Sequence, residues 1–242
     1  MIKYAVISDV HSNLDALETV LSDIEHRGIQ DVVFIGDAVG YGPSPNECIE
    51  ILSGCCKTLI AGNHDWGVIG LSDISCFNEY ARRAVEWTSE VTEEKNKEIL
   101  RSFPLISEDK NQDAFFVHAT PQRPEEWHYL LSHRDAELTF YGFDTRFCFL
   151  GHSHQPFIIE RVASGELVTY KDGAQIREGG RYIINAGSVG QPRDGDPRAS
   201  FAVIDSERVE IIRIPYDIKT VQDKMRKELL PYPLIERLAV GR

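Results

Sequence analysis

The chain has 242 residues, of which 42% are apolar and 26% charged; this is the composition of an ordinary folded protein, and no run approaches the length needed to span a bilayer. A formal net charge of -12 opposes binding along a nucleic-acid backbone, which depends on clustered Lys and Arg, but it leaves room for a small phosphorylated molecule held by local metal charge. Five cysteines without a CxxC pair suggest neither a disulfide framework nor a zinc knuckle, and no cleavable apolar leader is visible, so a cytoplasmic protein with reduced thiols is expected.

The apolar spacing predicts a β-α-β opening, with strands over 3–8 and 31–35 and a helix over 14–27 that Asn13 caps and Gly28 ends. A short helix over 45–52 and a third buried strand over 57–61 continue the alternation of a largely parallel sheet. Residues 75–103 read as helical, with a second helix starting near Ser89 or Thr92 and stopping before Pro104. Strands are expected over 114–117, 146–150, 157–161, 165–170, 182–185, 200–204 and 209–214, with a helix at 134–141 among them. An amphipathic helix over 218–230 should be broken by Pro231-Tyr232-Pro233. The chain reads as one domain over 1–242, with a helical insertion at about 72–103 and a C-terminal helical extension at about 216–242.

Metal-ligand side chains gather in five segments, each directly after an apolar strand-like run: Asp9-Val10-His11, Gly36-Asp37, Gly62-Asn63-His64-Asp65, His118, and Gly151-His152-Ser153-His154. Alone, each His is more often a hydrogen-bonded structural residue, and each Asp a helix cap. Together they have a common explanation, because ligands gather at the carboxyl ends of strands in α/β sheets. Side chains two apart in an extended segment also share a side, so Asp9 with His11 and His152 with His154 can converge. Two carboxylates, one amide and four imidazoles form an oxygen and nitrogen set suited to manganese, iron, zinc or nickel, and poorly to magnesium alone. Seven ligands exceed the needs of one catalytic ion, so two divalent ions sharing a carboxylate are the economical reading.

The ordered set D-x-H, G-D, G-N-H-[DE], H and G-H-x-H resembles the calcineurin-like metallophosphoesterase superfamily over residues 5–154. The loop Asn185-Ala186-Gly187-Ser188-Val189-Gly190-Gln191-Pro192-Arg193 is similar to one in its small bacterial and archaeal phosphodiesterase-type members. The resemblance implies an α/β fold of four layers, two packed central β-sheets flanked by helices. It also implies that Asp9, His11, Asp37 and His154 hold one ion, that Asp37, Asn63, His118 and His152 hold the other, and that Asp37 bridges them. The implied activity is hydrolysis of a small phosphate ester, such as a phosphodiester or nucleotide, by a hydroxide shared between the ions. His64 then becomes the candidate general acid and Asp65 its orienting partner, with Arg123 and Arg193 as candidate phosphate contacts.

The resemblance has limits, because Gly36-Asp37-Ala38-Val39-Gly40-Tyr41-Gly42 lacks the second Asp and the Arg of the G-D-x-V-D-R-G signature. That signature marks the protein Ser/Thr phosphatases and the dinucleoside polyphosphate hydrolases similar to them, so both activities stand as alternatives to the leading one. A non-catalytic scaffold would be expected to have lost ligands, and a nuclease would need a basic groove. Tyr41 and Trp66 follow ligand motifs and are placed to line a pocket, while His26, His128, His133, Trp87 and Trp127 carry no partner motif.

Overall fold

The computed structural model describes residues 3–242. The opening follows the hydrophobic pattern: β1 (Tyr4–Ile7), α1 (Leu14–His26) and β2 (Asp31–Ile35), then α2 (Pro45–Cys55) and β3 (Thr58–Ile60). The Asn13 side chain accepts from the Ala16 N–H at 3.2 Å to cap α1, and Gly28 at φ +69 closes it. After α3 (Asn63–Val68) come α4 (Glu79–Val91) and α5 (Glu94–Arg101), separated at Thr92 by extended backbone. The next elements are β4 (Ile106–Asp109), β5 (Ala114–Val117), α6 (His133–Thr139), β6 (Phe147–Leu150), β7 (Phe157–Arg161), β8 (Leu167–Tyr170), β9 (Gly173–Gln175) and β10 (Arg181–Asn185). The chain continues with β11 (Ala199–Ile204), β12 (Arg208–Ile214), α7 (Ile218–Lys227) and α8 (Tyr232–Arg237). No helix among the described residues is long and apolar enough to cross a membrane.

The strands form two six-stranded sheets, ordered β3-β2-β1-β11-β12-β9 and β4-β5-β6-β10-β7-β8. β1, β2 and β3 run parallel in the first, and β5, β6 and β10 run parallel in the second. Strand alternation explains the layering. Tyr4, Val6, Val33 and Ile35 face Phe116, Phe147, Phe149 and Ile184 in the core between the sheets. Their neighbours Ala5, Ile7 and Phe34 pack outward under Leu17, Val20 and Ile24 of α1 and Ile49 and Leu52 of α2. On the other side Phe115, Cys148 and Ile183 pack with Ala136 and Phe140 at α6. The result is four layers, two central sheets between outer helices, with the carboxyl ends of β1, β2, β3, β5 and β6 at one edge.

Three expectations change. The polar segment of β4 and the short β9 were not predicted as strands; both lie at sheet edges, where few neighbours impose a pattern. Pro231-Tyr232-Pro233 does not simply break the chain, because Pro233 sits in the first turn of α8, where a missing N–H costs nothing.

Candidate metal centre

Each ligand-type motif leaves the end of a strand and turns sharply. Asp9, His11, Asp37, His152 and His154, with Ser12, all adopt positive φ between 49° and 62°. The expected convergence of Asp9 with His11 and of His152 with His154 therefore arises from left-handed turns and not from extended alternation. Such backbone is strained for residues with a Cβ and persists only where the surroundings hold it. Here the N–H groups of Asp9, His11 and Ser12 donate to the carbonyls of Gly36, Asp37 and Ala38, each at 2.9 Å, locking the first loop to the second. The loop after β10 supports them: Asn185 Nδ2 donates to Gly151 O at 2.7 Å, and the Gly190 N–H donates to Asp9 O at 2.9 Å.

The side chains converge from both sheets. Atoms of Asp9, His11, Asp37 and His154 lie within 4.8 Å of one another, as do atoms of Asp37, His118 and His152, so Asp37 belongs to both groups. Its Oδ2 is 3.3 Å from His118 Nε2 and 3.6 Å from His11 Nε2, while Asp9 Oδ1 is 3.2 Å from His154 Nε2. Either group could hold a cation. Gly62 permits the close approach, since a Cβ there would sit 2.1 Å from Asp37 Oδ1.

Second partners fix the rings. Nδ1 of His11 faces Val39 O at 3.0 Å, Nδ1 of His118 faces Ile35 O at 2.9 Å, and Nδ1 of His154 faces Gln191 O at 2.6 Å. A carbonyl only accepts, so each Nδ1 carries a proton and each Nε2 is turned inward, the arrangement common for metal-binding imidazoles. Four buried atoms in the same place, Asp9 Oδ1, Asn63 Oδ1, His118 Nε2 and His152 Nε2, have no hydrogen-bond partner. Each such atom costs about 1–3 kcal/mol if left unsatisfied, so a cluster of ligand-type oxygen and nitrogen atoms of this kind fits a divalent cation.

Charge points the same way. Burial raises the Asp9 and Asp37 carboxyls, but the surrounding imidazoles outweigh it and hold both below the usual carboxylate range. Burial lowers His11 and His154, and brings His152 down to about 3. His118 differs: burial lowers it, yet Asp37 beside it raises it to about 9.

His64 stands next to both groups without belonging to either. Its backbone N–H donates to Asp37 Oδ1 at 2.8 Å, and its ring packs 4.5 Å from Tyr41 and 5.1 Å from Phe77. Burial lowers the imidazole to about 4. Asp65 does not meet it as expected, and His64 Nδ1 has no partner. The Asp65 carboxylate instead accepts the N–H groups of Asp37 and Gly62, both at 2.9 Å, and of Val39 at 3.2 Å. Its place in the first turn of α3 directs it at the loop that carries Asp37. It therefore acts as a brace for that loop, while burial and the Asp37 charge push its pKa up to about 7.

A cavity of about 320 Å³ opens over Asn63, His64 and His152, walled by Tyr41, Phe77, Trp127 and Tyr129. Tyr129 stacks on the His152 ring at 4.0 Å, and Trp127 stands edge-on to His118 at 6.1 Å. Neither aromatic carried a sequence signal, because the loop that presents them has no periodicity. Trp66 does not line the cavity but backs Trp127, with ring centroids 5.4 Å apart. Arg193 stacks on the wall residue Tyr41, its guanidinium 5.4 Å from the ring centroid. Arg123 is not brought to the cluster; it pairs with Glu126 at 2.7 Å and lines a neighbouring cavity of about 560 Å³ with Thr120, Tyr129 and Tyr141.

Known proteins resemble this chain in sequence and fold. Residues 2–208 match the sequence model of the calcineurin-like phosphoesterase superfamily domain. An uncharacterised protein of Methanocaldococcus jannaschii is 43% identical over 242 residues, covering 98% of each chain. The crystal structure of a metallophosphoesterase from Sphaerobacter thermophilus is 42% identical and covers 100% of this chain and 99% of its own, with a TM-score of 0.87. A hypothetical protein from Pyrococcus horikoshii OT3, 23% identical, shares the fold over 100% of this chain and 99% of its own at a TM-score of 0.80. The match spans most of the chain and includes every segment that contributes to the cluster, and the chain belongs to the calcineurin-like phosphoesterase superfamily.

Proposed function

We propose that this protein is a divalent-metal-dependent phosphoesterase that hydrolyses a small phosphate ester. Asp9, His11, Asp37 and His154 hold one ion, and Asp37, Asn63, His118 and His152 hold a second. The observation that carries this reading is the convergence of four buried ligand-type atoms without hydrogen-bond partners, Asp9 Oδ1, Asn63 Oδ1, His118 Nε2 and His152 Nε2, with the inward-facing Nε2 atoms of His11 and His154. Manganese, iron, zinc or nickel suits such donors and, when bound, supplies positive charge for the phosphoryl oxygens and an acidified water.

The protein's own groups do the rest. Carbonyls of Val39, Ile35 and Gln191 hold the imidazoles in one tautomer, so no ring needs to reorient during turnover. His64, unprotonated at its burial-lowered pKa, takes a proton from solvent as a phosphate anion arrives beside it and raises its basicity, and then donates that proton to the departing alkoxide. Tyr41, Phe77, Trp127 and Tyr129 offer flat apolar walls for the leaving group, which favours a nucleotide or another diester with a planar part. Phe77 belongs to the helical excursion at about 72–103, which thereby acts as one wall of the pocket.

A substrate panel run in turn with manganese, iron, zinc and nickel tests the proposal, with aryl mono- and diesters, cyclic nucleotides, dinucleoside polyphosphates and a phosphopeptide. Metal-dependent turnover of a nucleotide-type ester, with ranking altered by Phe77→Ala or Tyr129→Ala, is the expected result. No turnover of any member with any of the four metals would remove the reading.

A further inference from the structure

Two guanidinium groups meet beside the metal-type cluster with no carboxylate between them. Arg193 Nε and Nη2 donate to Gln191 Oε1 at 3.3 and 2.9 Å, and Arg237 Nη1 donates to the same oxygen at 3.2 Å. One neutral oxygen thus serves two cations. Nearby carboxylates are engaged elsewhere, Asp194 by Arg213 and Glu236 by Arg226. Arg237 Nε is buried without a partner, and so is Gln191 Nε2. Burial, and then the charge of Arg193, lower the Arg237 pKa, so its positive charge is under-compensated where it stands.

The position of the pair is set by the same residue that orients a metal-type ligand. The Gln191 carbonyl takes the His154 Nδ1 proton at 2.6 Å, and the Arg193 N–H donates to His154 O at 3.1 Å. Arg237 arrives from α8, whose Leu234, Ile235 and Leu238 pack with Val221 and Met225 of α7 near Tyr41. The Gly195 N–H donates to Gly241 O at 2.8 Å, which ties this helical segment to the Arg193 loop. Arg237 lies outside residues 2–208, so the family match assigns it nothing.

We propose that Arg193 and Arg237 form an anion clamp that binds phosphoryl oxygens of the substrate, an inference that rests on the phosphoesterase reading of the neighbouring cluster. Three guanidinium nitrogens directed at one point, two from Arg193 and one from Arg237, suit an oxyanion far better than one amide oxygen, and a phosphoryl group would satisfy the Arg237 Nε donor that the protein leaves unused. In a chain of net charge -12, the clamp also supplies a local positive field beside His154 and Tyr41.

The test is calorimetric titration of inorganic phosphate into the chelator-treated protein, as wild type, Arg193→Gln, Arg237→Gln and Arg237→Lys. Wild type is expected to bind one phosphate, with affinity weakened about 10-fold to 100-fold in either Gln variant and less in the Lys variant, which keeps the charge. Equal affinities across the four proteins, or no binding by wild type, overturn the clamp. On metal-loaded protein with the best substrate of the panel, KM should rise by a similar factor in the Gln variants while kcat falls less; a fall in kcat alone also counts against the clamp. If wild type hydrolyses nothing, the phosphoesterase reading fails, and the calorimetry still decides the role of the arginines.

Discussion

The Nε2 atoms of His11 and His154 stand 3.0 Å apart, and neither can donate to the other, because each ring carries its proton on the nitrogen that faces a carbonyl. Two lone pairs so placed repel unless a cation stands between them. Burial keeps both rings from protonating to relieve the conflict. The pair thus expresses in one contact what the whole cluster requires.

Asp37 is common to both groups, so Asp37→Asn should reduce bound transition metal from about two ions per chain to less than one. Metal analysis by mass spectrometry after exhaustive dialysis checks this. Retention of two tightly held ions by the variant would rule out Asp37 as the bridge.

His64→Ala should keep its metals and lose turnover about 100-fold or more on alkyl esters, with a much smaller loss on nitrophenyl esters, whose leaving group needs no proton. Kinetics across leaving groups of graded pKa decide between donation and positioning. A uniform loss across the series would assign His64 to positioning.

Asp65 accepts three backbone N–H groups in a buried setting, so Asp65→Ala should destabilise the protein by about 3 kcal/mol, whereas His64→Ala should change stability little. Urea unfolding of the metal-free proteins provides the comparison. A loss below about 0.5 kcal/mol for Asp65→Ala would contradict the bracing role.

His118 gives a pH dependence with a definite sign. Its folded value of about 9 lies above the unfolded value of about 6.5, so pairing with Asp37 stabilises the metal-free fold fully below pH 6.5. That contribution fades as pH rises through 9. Metal binding at Nε2 must expel the proton, so loading near neutral pH should release about one proton from this ring, and affinity should strengthen toward pH 9. Calorimetry in buffers of different ionisation enthalpy measures the release; none at about pH 7 would show that His118 does not ligate.

Much of this was legible from residue order. Asp9, His11, Asp37, Asn63, His118, His152 and His154 are recognisable because each follows an apolar strand; six of them fall into two groups that share Asp37, and Asn63 lines the cavity beside His152. The β-α-β opening was equally plain, since α1 carries both a cap and a stop. Less was legible where long-range geometry decides. That Asp65 faces backbone amides and not His64 depends on how α3 leaves β3, and the pairing of β1 with β11 joins segments almost the whole chain apart. Arg237 and Tyr129 had no motif to announce them, because they reach the site from α8 and from an irregular loop.

The left-handed turns under the cluster bear on whether the site is in use. At each of Asp9, His11, Ser12, Asp37, His152 and His154 the backbone sits where a side chain costs on the order of 1 kcal/mol, a penalty that glycine escapes. Glycine would relieve that backbone strain at any of the six, although at Asp9, Ser12 and Asp37 it would also strand the N–H groups of His152, Gly40 and His64 that these side chains accept. Instead the positions keep a carboxylate, an imidazole or a hydroxyl, so the sequence holds stability in reserve at the one place where relaxing it would erase the donors. A centre that has lost its use would be expected to shed that strain, so glycine at these positions is the mark to look for in a member of the fold that has become a scaffold.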